Sequence, residues 1–401
     1  MGEYQYACTR GVRSMNTQIQ SFDPALLQKP IKDRLEYFKT RQIDHAMQRN
    51  TFNRAVASLR CAAGPKVLVI TGPTGVGKTT LGRRLYREIQ NIHKDDANLN
   101  NSIVPVIGVN AAPPVGASFN WRDFYSRVLQ ANKDILLDHK VSLTGQSEMF
   151  AHNGYELSEG ADADKLKRSL ESSIVHRKTR YLFIDEAHHI LMVKDQGRLE
   201  FQFEMLKSLT IESDITIVLM GTYDLLDIRD YSGQLVRRSE ILHMGRYDPN
   251  LYEHRTEFAS TMEAFLQRMP FKIKPDLSND MEYFFTKSAG CIGILKEWLT
   301  RTYGHALDAG MDTFDRDFAA QFALDNKGLR TIIEEVLNGE LKMSDEPYER
   351  ISQLLIDGST LIDRSNSNSL MEKPNILKAK QRRIGTRNPK RDPVGGVEYA
   401  G

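Results

Sequence analysis

The residues best suited to chemistry lie between a short apolar run and the start of a helical pattern. After the run Val-Leu-Val-Ile at 67–70, Gly72, Gly77, Lys78 and Thr79 complete the pattern G-x-x-x-x-G-K-[ST]. Such glycines let backbone N–H groups surround a phosphate, while the lysine places an ammonium on its oxygens and the hydroxyl binds Mg²⁺. The sequence therefore predicts a P-loop for ATP and Mg²⁺, formed by Gly72, Pro73, Thr74, Gly75, Val76, Gly77, Lys78, Thr79 and Thr80.

Two carboxylates follow another apolar run, Tyr-Leu-Phe-Ile at 181–184. Ligands of a parallel α/β sheet bind at the carboxyl ends of its strands, so we expect Asp185 and Glu186 beside the P-loop. Asp185 is expected to hold Mg²⁺, directly or through water, together with Thr79. Glu186 is expected to polarise the attacking water. The pair is a Walker B motif, and the competing interpretation is a solvated acidic turn.

Thr222 follows the apolar run Ile-Thr-Ile-Val-Leu-Met-Gly at 215–221. At a strand end, its hydroxyl is expected to bond the γ-phosphate or the attacking water, with Tyr223 as the alternative. An ordinary strand-ending threonine fits the sequence equally well.

The residues after the apolar run at 181–184 allow two other interpretations. The letters Asp185-Glu-Ala-His188 also spell the DEAH box of a helicase class. Such a helicase needs a second RecA-like domain, whereas residues 250–401 have helical and then polar patterns, so we reject this interpretation. His188 and His189 are adjacent and face different ways, and no acidic or cysteine partner lies at ligand spacing, so no metal site is predicted there.

The composition is ordinary for a soluble globular protein, with 401 residues, 40% hydrophobic and 26% charged. No apolar run reaches the roughly 20 residues of a membrane span, and the first residues lack an apolar signal core, so we expect a cytoplasmic protein without a membrane partner. Cys8, Cys61 and Cys291 are an odd number without a C-x-x-C pair. They indicate reduced thiols and argue against a disulfide framework or a zinc site.

The order of the patterns predicts four regions. Residues 1–30 are expected to form a flexible arm, polar up to about residue 23 and followed by an extended anchor before the first helix. Residues 31–248 begin with amphipathic helices and then alternate strand and helix patterns, which predicts an α/β domain with a parallel sheet flanked by helices. Residues 249–325 have helical spacing and are expected to form a small lid. Residues 326–401, with short amphipathic stretches at 329–337 and 346–355 and a basic end, are expected to be a largely disordered tail that binds a partner.

Several motifs together match those of one protein family. They are the P-loop, Tyr-Leu-Phe-Ile-Asp-Glu-Ala-His-His-Ile from 181, and Val-Leu-Met-Gly-Thr at 218–222. With the helical lid, these motifs resemble an AAA+ ATPase. Two further segments are similar to the TniB and TnsC regulators of bacterial transposons: Pro-Val-Ile-Gly-Val at 105–109 with a Pro-rich loop and Trp-Arg-Asp-Phe-Tyr at 121–125, and Gly-Cys-Ile-Gly-Ile-Leu-Lys-Glu-Trp-Leu at 290–299.

The resemblance implies a bacterial, nucleoid-associated protein that regulates DNA transposition. Family members form ATP-dependent rings or helical filaments around duplex DNA and link a target-selecting protein to the transposase. By this resemblance, Arg238 is the arginine finger that completes a neighbour's active site, with Arg237 as the alternative and two surface arginines as the plainer interpretation. Many AAA+ proteins carry a sensor arginine in the lid, but Gly293 stands at that place here, and Lys296 is a weak substitute.

The resemblance also places a DNA channel at residues 111–144. Arg122, Lys133 and Lys140 are the expected phosphate contacts, and a solvated basic helix face is the alternative. The other function that stays open is an AAA+ ATPase of the replication-initiator, clamp-loader or signalling type, assembling for another purpose. The basic tail and the lack of a sensor domain favour the transposition regulator.

Overall fold

The computed structural model describes residues 22–100, 102–114, 119–132, 163–192, 196–231 and 233–356. The strands are β1 Val67–Thr71, β2 Val106–Asn110, β3 Tyr181–Asp185, β4 Thr216–Gly221 and β5 Ser239–His243. The α-helices are α1 Ile31–Thr40, α2 Ala46–Arg60, α3 Lys78–Ile92, α4 Lys94–Leu99, α5 Trp121–Ala131, α6 Ala163–His176, α7 Gln196–Glu212, α8 Ile228–Tyr231, α9 Gly233–Arg238, α10 Tyr252–Gln267, α11 Met281–Lys287, α12 Ile292–Asp308, α13 Arg316–Ala320, α14 Asn326–Met343 and α15 Tyr348–Ile356. Short 3-10 helices span Pro24–Gln28, Ala187–Leu191, Tyr223–Asp227 and Ser278–Asp280.

The strands form one parallel sheet in the order β2-β3-β4-β1-β5. Because every pair is parallel, the carboxyl ends of the strands meet at one edge of the sheet. This edge carries the P-loop after β1, Glu186 after β3 and Thr222 after β4. The parallel sheet flanked by helices that the sequence predicts is therefore confirmed.

Strand β1 is buried along its whole length and contributes to a core on each face of the sheet. Successive side chains of a strand point to opposite faces. Val67 and Val69 accordingly pack in the core that includes side chains of α5, α6 and α7, whereas Leu68 and Ile70 pack in the core that includes side chains of α2 and α3. The two cores hold the P-loop strand in place from both sides.

The helices after β5 form a third core around Trp298 of α12. The Trp298 indole stacks on the ring of Phe284, with ring centroids 4.5 Å apart, and its Nε1 donates to the carbonyl oxygen of Ala319 across 2.7 Å. Phe38 of α1 belongs to the same core. The helices after β5 therefore pack around their own aromatic residues, together with Phe38 from before the P-loop.

Two strand boundaries differ from those predicted. β2 begins at Val106, later than the predicted strand at 103–109, because Pro105 has no N–H to give to the ladder. The carbonyl oxygen of Pro105 instead accepts from the N–H groups that open β3. β5 begins at Ser239, before the predicted strand at 241–244, and Ser239 pairs with Val67 of β1.

Helix α14 extends the compact part of the chain beyond the predicted lid. One unit spans Met1–Met343, so it includes all of α14, where the sequence predicts only a stretch at 329–337 in a disordered tail. Leu329 and Val336 are buried, and Ile332 packs against the core beneath the P-loop. These residues recur at helical spacing, so they form one apolar stripe that holds the helix on the domain.

The second unit spans Ser344–Gly401, and its described part contains α15. Lys133, Lys140, the N-terminal arm up to residue 21 and the basic tail from residue 357 lie outside the described residues. Among the described residues, no helix has both the length and the apolar character that a membrane crossing needs.

Candidate functional site

The P-loop has the backbone conformation that its glycines predict. Gly75 and Gly77 have φ values of 79° and 103°, in the left-handed region that favours glycine. Gly77 precedes the first residue of α3, so the N-terminus of this helix and its dipole point toward the loop. Gly72 lies so close to the chain after β5 that a Cβ there would be 2.1 Å from the carbonyl oxygen of Met244. These glycines are required by geometry, and together they shape an anion-binding turn.

Lys78 lies across the mouth of the loop. Its Nζ donates to the carbonyl oxygens of Gly72 and Pro73, each across 2.8 Å. Burial lowers the pKa of Lys78, and the charges of Glu186, Cys291, Asp185 and Glu335 act in the opposite direction. The lysine predicted to bind the β- and γ-phosphates is thus a largely buried cation with acidic groups around it.

The two carboxylates of the Walker B motif leave β3 in different directions. Asp185 ends the strand, and its Oδ1 accepts the backbone N–H of Glu186 across 2.9 Å. Glu186 adopts a left-handed conformation with φ of 52°, which is uncommon for a residue with a side chain. Its side chain is 49% exposed. The turn therefore separates a carboxylate directed at the sheet edge from one that is accessible to a water molecule.

The proposed Mg²⁺ ligands line one cavity. Thr79, at the start of α3, and Asp185 both border a cavity of about 380 Å³, together with Asn110 at the end of β2. A threonine hydroxyl and a carboxylate are oxygen donors of the kind that Mg²⁺ prefers, and Mg²⁺ usually keeps several waters and phosphate oxygens as further ligands. The residues present therefore fit a Mg²⁺ ion held between the nucleotide and β3.

Thr222 and Tyr223 are placed differently with respect to the site. Thr222 follows β4, next to the P-loop strand: its carbonyl oxygen accepts from Oγ1 of Thr71 across 2.8 Å, and its own Oγ1 donates to Asp224 across 3.1 Å. The hydroxyl of Tyr223 instead contacts Nε2 of His243 across 2.8 Å. Of the two residues, Thr222 is the one that lies at the carboxyl edge of the sheet, where a contact with the γ-phosphate is expected.

His188 lies between the ends of β3 and β4. Its side chain is 10% exposed, and its Nδ1 is 3.4 Å from Oε2 of Glu186, outside hydrogen-bond geometry. His189 points elsewhere, with Nδ1 2.9 Å from the carbonyl oxygen of Ala111. Among the described residues, no group of three His, Cys, Asp or Glu side chains is arranged to hold a metal ion. His188 therefore packs beside Glu186, whereas His189 contacts the chain that follows β2.

Arg237 and Arg238 lie at the opposite edge of the sheet from the P-loop. Both are exposed, at the end of α9, and the carbonyl oxygen of Arg238 accepts the N–H of Lys66, just before β1 begins. At about 3.3 Å per residue, β1 separates Lys66 from Gly72 by roughly 20 Å. A side chain at this edge cannot reach the P-loop of its own chain, so a finger role would have to be carried out on a neighbouring copy.

The lid helix α12 touches the P-loop through glycine. A Cβ at Gly293 would lie 2.2 Å from the carbonyl oxygen of Gly75. Lys296, the weak substitute for a sensor arginine, lies elsewhere: its Nζ donates to the carbonyl oxygen of Phe38 across 2.6 Å and is 3.2 Å from the centre of the Phe38 ring. Lys296 therefore ties α12 to α1 and does not take the place of the sensor arginine.

An arginine that the sequence analysis did not single out lies in the segment that packs against the start of the P-loop. Arg246, just after β5, donates to both carboxylate oxygens of Glu340 on α14, across 3.0 and 3.1 Å. Gly339 of the same helix packs on the ring of Tyr223 so closely that a Cβ would clash with it. The spacing of Leu329, Ile332 and Val336 was the signal that α14 has a buried face.

The predicted DNA contacts are only partly within the described residues. Arg122 lies in the first turn of α5, where its Nε and Nη2 are buried and have no hydrogen-bond partner among the described residues. Arg127, one helical turn further, pairs with Asp123 across 2.8 Å. Arg122 is therefore directed into the protein in this structure.

Comparison with known protein families gives a match for one part of the chain. Residues 62–228 match the model of a family described as an AAA domain. No curated protein matches the chain.

Similar solved structures include the ORC2 protein of Aeropyrum pernix in ADPNP–ADP complexes, with 15% identity, coverage of 79% of this chain and 84% of that chain, and a TM-score of 0.42. The Walker-type ATPase paby2304 of Pyrococcus abyssi has 14% identity, coverage of 80% and 76%, and a TM-score of 0.40. A mutant RuvB of Thermotoga maritima has 17% identity, coverage of 70% and 69%, and a TM-score of 0.36. Likenesses this low carry no further argument.

The family match and the geometry agree on the same part of the chain. The matched segment contains the P-loop, both carboxylates of the Walker B motif and Thr222. Residues 62–228, which match the AAA domain, therefore have the parallel sheet and P-loop of an AAA+ nucleotide-binding fold.

Proposed function

We propose that this AAA+ ATPase regulates DNA transposition by assembling on duplex target DNA and recruiting the transposase to a selected site. The observation that supports assembly is the position of Arg237 and Arg238, which are exposed at the sheet edge opposite their own P-loop. A site completed by a neighbour's arginine is active only in an oligomer, a ring or a helical filament. The link to transposition is supported by the motif resemblance at 105–125 and 290–299.

In this proposal each residue of the site has one role in hydrolysis. Lys78 and the P-loop N–H groups hold the β- and γ-phosphates, while Thr79 and Asp185 hold Mg²⁺. When bound, Mg²⁺ neutralises charge on the β- and γ-phosphates. Glu186 polarises the attacking water, Thr222 orients it or the γ-phosphate, and Arg238 of a neighbouring copy, with Arg237 as the alternative, stabilises the charge that develops in transfer.

DNA contact in this proposal is made through the phosphate backbone. Lys133, Lys140 and Arg122 are the proposed contacts, and Arg122 would have to turn outward from its buried position. Contacts of this kind carry little sequence information, so binding should be nearly independent of sequence and steeply dependent on salt. The Ser- and Asn-rich basic segment after residue 357 is the proposed site of transposase docking.

The test is assembly of the full chain with a non-hydrolysed ATP analogue and duplex DNA, followed by light scattering and electron microscopy. Large particles with both ligands, and small particles with either one alone, are expected. Particles that form with the nucleotide and without DNA would favour a signalling-type ATPase. Equal assembly with Lys78→Ala would show that assembly is independent of the P-loop and would overturn the proposal.

A further inference from the structure

The chain after β5 runs directly against the P-loop. The N–H of Met244 donates to the carbonyl oxygen of Thr71 across 2.8 Å, and the carbonyl oxygen of Met244 is in close contact with Gly72. Arg246 follows two residues later, and its side chain is 17% exposed. A partly buried guanidinium is thus carried by a segment that is fixed to the first residues of the phosphate-binding loop.

The partner of this guanidinium comes from α14. The two carboxylate oxygens of Glu340 accept hydrogen bonds from Nε and Nη2 of Arg246. The Glu340 side chain is 30% exposed. A planar guanidinium makes this two-pronged arrangement with carboxylates and with phosphates alike. A phosphate oxygen and Glu340 would therefore compete for the same N–H donors.

α14 also carries Glu335, an exposed carboxylate. Glu335 is one of the carboxylates whose charge acts on the Lys78 ammonium. Packing contacts hold the helix in place: Val336 is buried, and Gly339 lies against the ring of Tyr223. A nucleotide triphosphate, which is strongly anionic, would be repelled by Glu335 while α14 stays in this place.

Helix α12 has no arginine where it contacts the P-loop. Gly293 and Ile294 of α12 occupy the contact with Gly75, so α12 places no guanidinium against this part of the loop. We propose that Arg246 is a second phosphate-binding cation of the nucleotide site, supplied by the same chain, and that Glu340 of α14 holds it back until a nucleotide takes it over. This inference rests on the proposed nucleotide binding by the P-loop.

The consequence is a coupling between the nucleotide and α14. When Arg246 turns to phosphate, Glu340 loses its partner, and α14 keeps only its packing contacts. A triphosphate that engages Arg246 therefore loosens α14, and a loosened α14 raises the affinity for the triphosphate, because the coupling is reciprocal.

The experiment compares ATP affinity, by calorimetry, in the full chain and in Glu340→Gln, Arg246→Ala and the double variant. Glu340→Gln should bind ATP about tenfold more tightly, because the charge that holds Arg246 is removed, and Arg246→Ala about tenfold more weakly. The double variant should match Arg246→Ala, since Glu340 acts through Arg246. Glu335→Gln should also tighten binding, by removing repulsion.

The matched control is Glu334→Gln, at the residue next to Glu335 on α14 and exposed like it. Glu334 pairs with Arg330 across 2.6 Å, and both side chains are more than half exposed. Glu334→Gln makes the same change of charge in the same helix as Glu335→Gln and Glu340→Gln, and it should leave ATP affinity unchanged.

Several outcomes would overturn the inference. If Glu340→Gln binds ATP no more tightly than the wild type, Glu340 does not restrain a phosphate ligand. If Arg246→Ala lowers only the melting temperature and keeps its ATP affinity, the pair is structural. If Arg246→Ala does not fold, Arg246→Lys takes its place. It keeps the positive charge but cannot make two parallel hydrogen bonds, so its affinity for ATP should still be lower than that of the wild type. Failure of the proposed function looks different: the wild type and Lys78→Ala would then bind ATP equally.

Discussion

The N–H of Ile294 in the lid donates to the carbonyl oxygen of Gly75 in the P-loop across 3.2 Å. This bond joins the start of α12 to the middle of the phosphate-binding turn. A backbone hydrogen bond therefore connects α12 to the P-loop. Gly293 makes the contact possible, because a Cβ there would be 2.2 Å from the same carbonyl oxygen.

The first prediction is that Gly293→Ala uncouples the lid from the P-loop. The added methyl group must push α12 away from Gly75, and overpacking of this kind costs roughly 1–3 kcal/mol. We expect ATP affinity to fall about tenfold and the melting temperature to fall as well. Calorimetric titration and thermal unfolding measure the two effects.

Gly304 supplies the control in the same helix. A Cβ there would meet the methyl groups of Leu35 at 3.7 Å, an ordinary contact. Because alanine is a better helix former than glycine, by up to about 1 kcal/mol, Gly304→Ala should keep ATP affinity and equal or exceed the wild type in stability. If Gly293→Ala behaves like Gly304→Ala, the contact has no role in nucleotide binding.

The sequence predicted the centre of the fold well because burial there leaves a strong pattern. β1, β3 and β4 are buried on both faces, so each appears as an uninterrupted apolar run before a polar residue. β2 was predicted too early because Pro105 is apolar enough to extend the run, yet has no N–H for the ladder. Patterns of side chains thus located the strands, and backbone chemistry decided where they begin.

The sequence predicted those parts of the site whose residues lie close together in the chain. The P-loop and the Asp185–Glu186 pair are local motifs, and the parallel sheet brings them to one edge. Contacts between distant segments, such as Gly293 with Gly75 and Arg246 with Glu340, leave no local pattern. The mixed composition of α14 also hid its role, since its buried stripe is narrow and its other faces are charged.

The second prediction separates binding from hydrolysis. Lys78→Ala removes the buried ammonium at the mouth of the P-loop and should abolish ATP binding, measured by calorimetry. Glu186→Gln keeps the P-loop and removes the carboxylate beside the attacking water, so it should bind ATP normally, lose hydrolysis and stay assembled on DNA. ATP binding by Lys78→Ala at wild-type affinity would disprove the role of the P-loop.

The third prediction concerns the stability of the domain in acid. His45 precedes α2, is 6% exposed, and its Nδ1 is 3.1 Å from the hydroxyl of Tyr247. Burial lowers the pKa of His45 to about 4; Asp44 opposes this shift and Arg49 adds to it. The unfolded chain, with an ordinary histidine pKa of about 6.5, takes up this proton first as the pH falls.

The contribution of His45 to stability is therefore complete above about pH 6.5 and is lost as the pH falls toward 4, by up to about 3 kcal/mol. Urea unfolding at pH 7 and at pH 4.5 should show a smaller loss for His45→Asn, which cannot take up the proton, than for the wild type. The same loss in both proteins would show that other groups, such as the partly buried His243, carry the acid sensitivity.

The fourth prediction concerns the arginine finger. Arg238 is exposed at the sheet edge, roughly 20 Å from its own P-loop, so it can act only on a neighbour. Arg238→Ala should bind ATP with wild-type affinity, because its own P-loop is intact, but should lose hydrolysis by a factor of about 10³ and fail to assemble. Arg255→Ala, which removes an exposed arginine of α10, should hydrolyse normally.

Mixing variants tests whether the finger acts between copies. Arg238→Ala subunits have intact Lys78 and Glu186, and Glu186→Gln subunits have an intact Arg238. An interface that pairs the P-loop of the first with the finger of the second contains every group that hydrolysis requires, so the mixture should recover part of the activity that neither variant shows alone. If Arg238→Ala hydrolyses ATP normally by itself, the same mixture made with Arg237→Ala decides whether Arg237 is the finger. If neither substitution affects hydrolysis, the active site is complete within one chain, and assembly serves DNA binding alone.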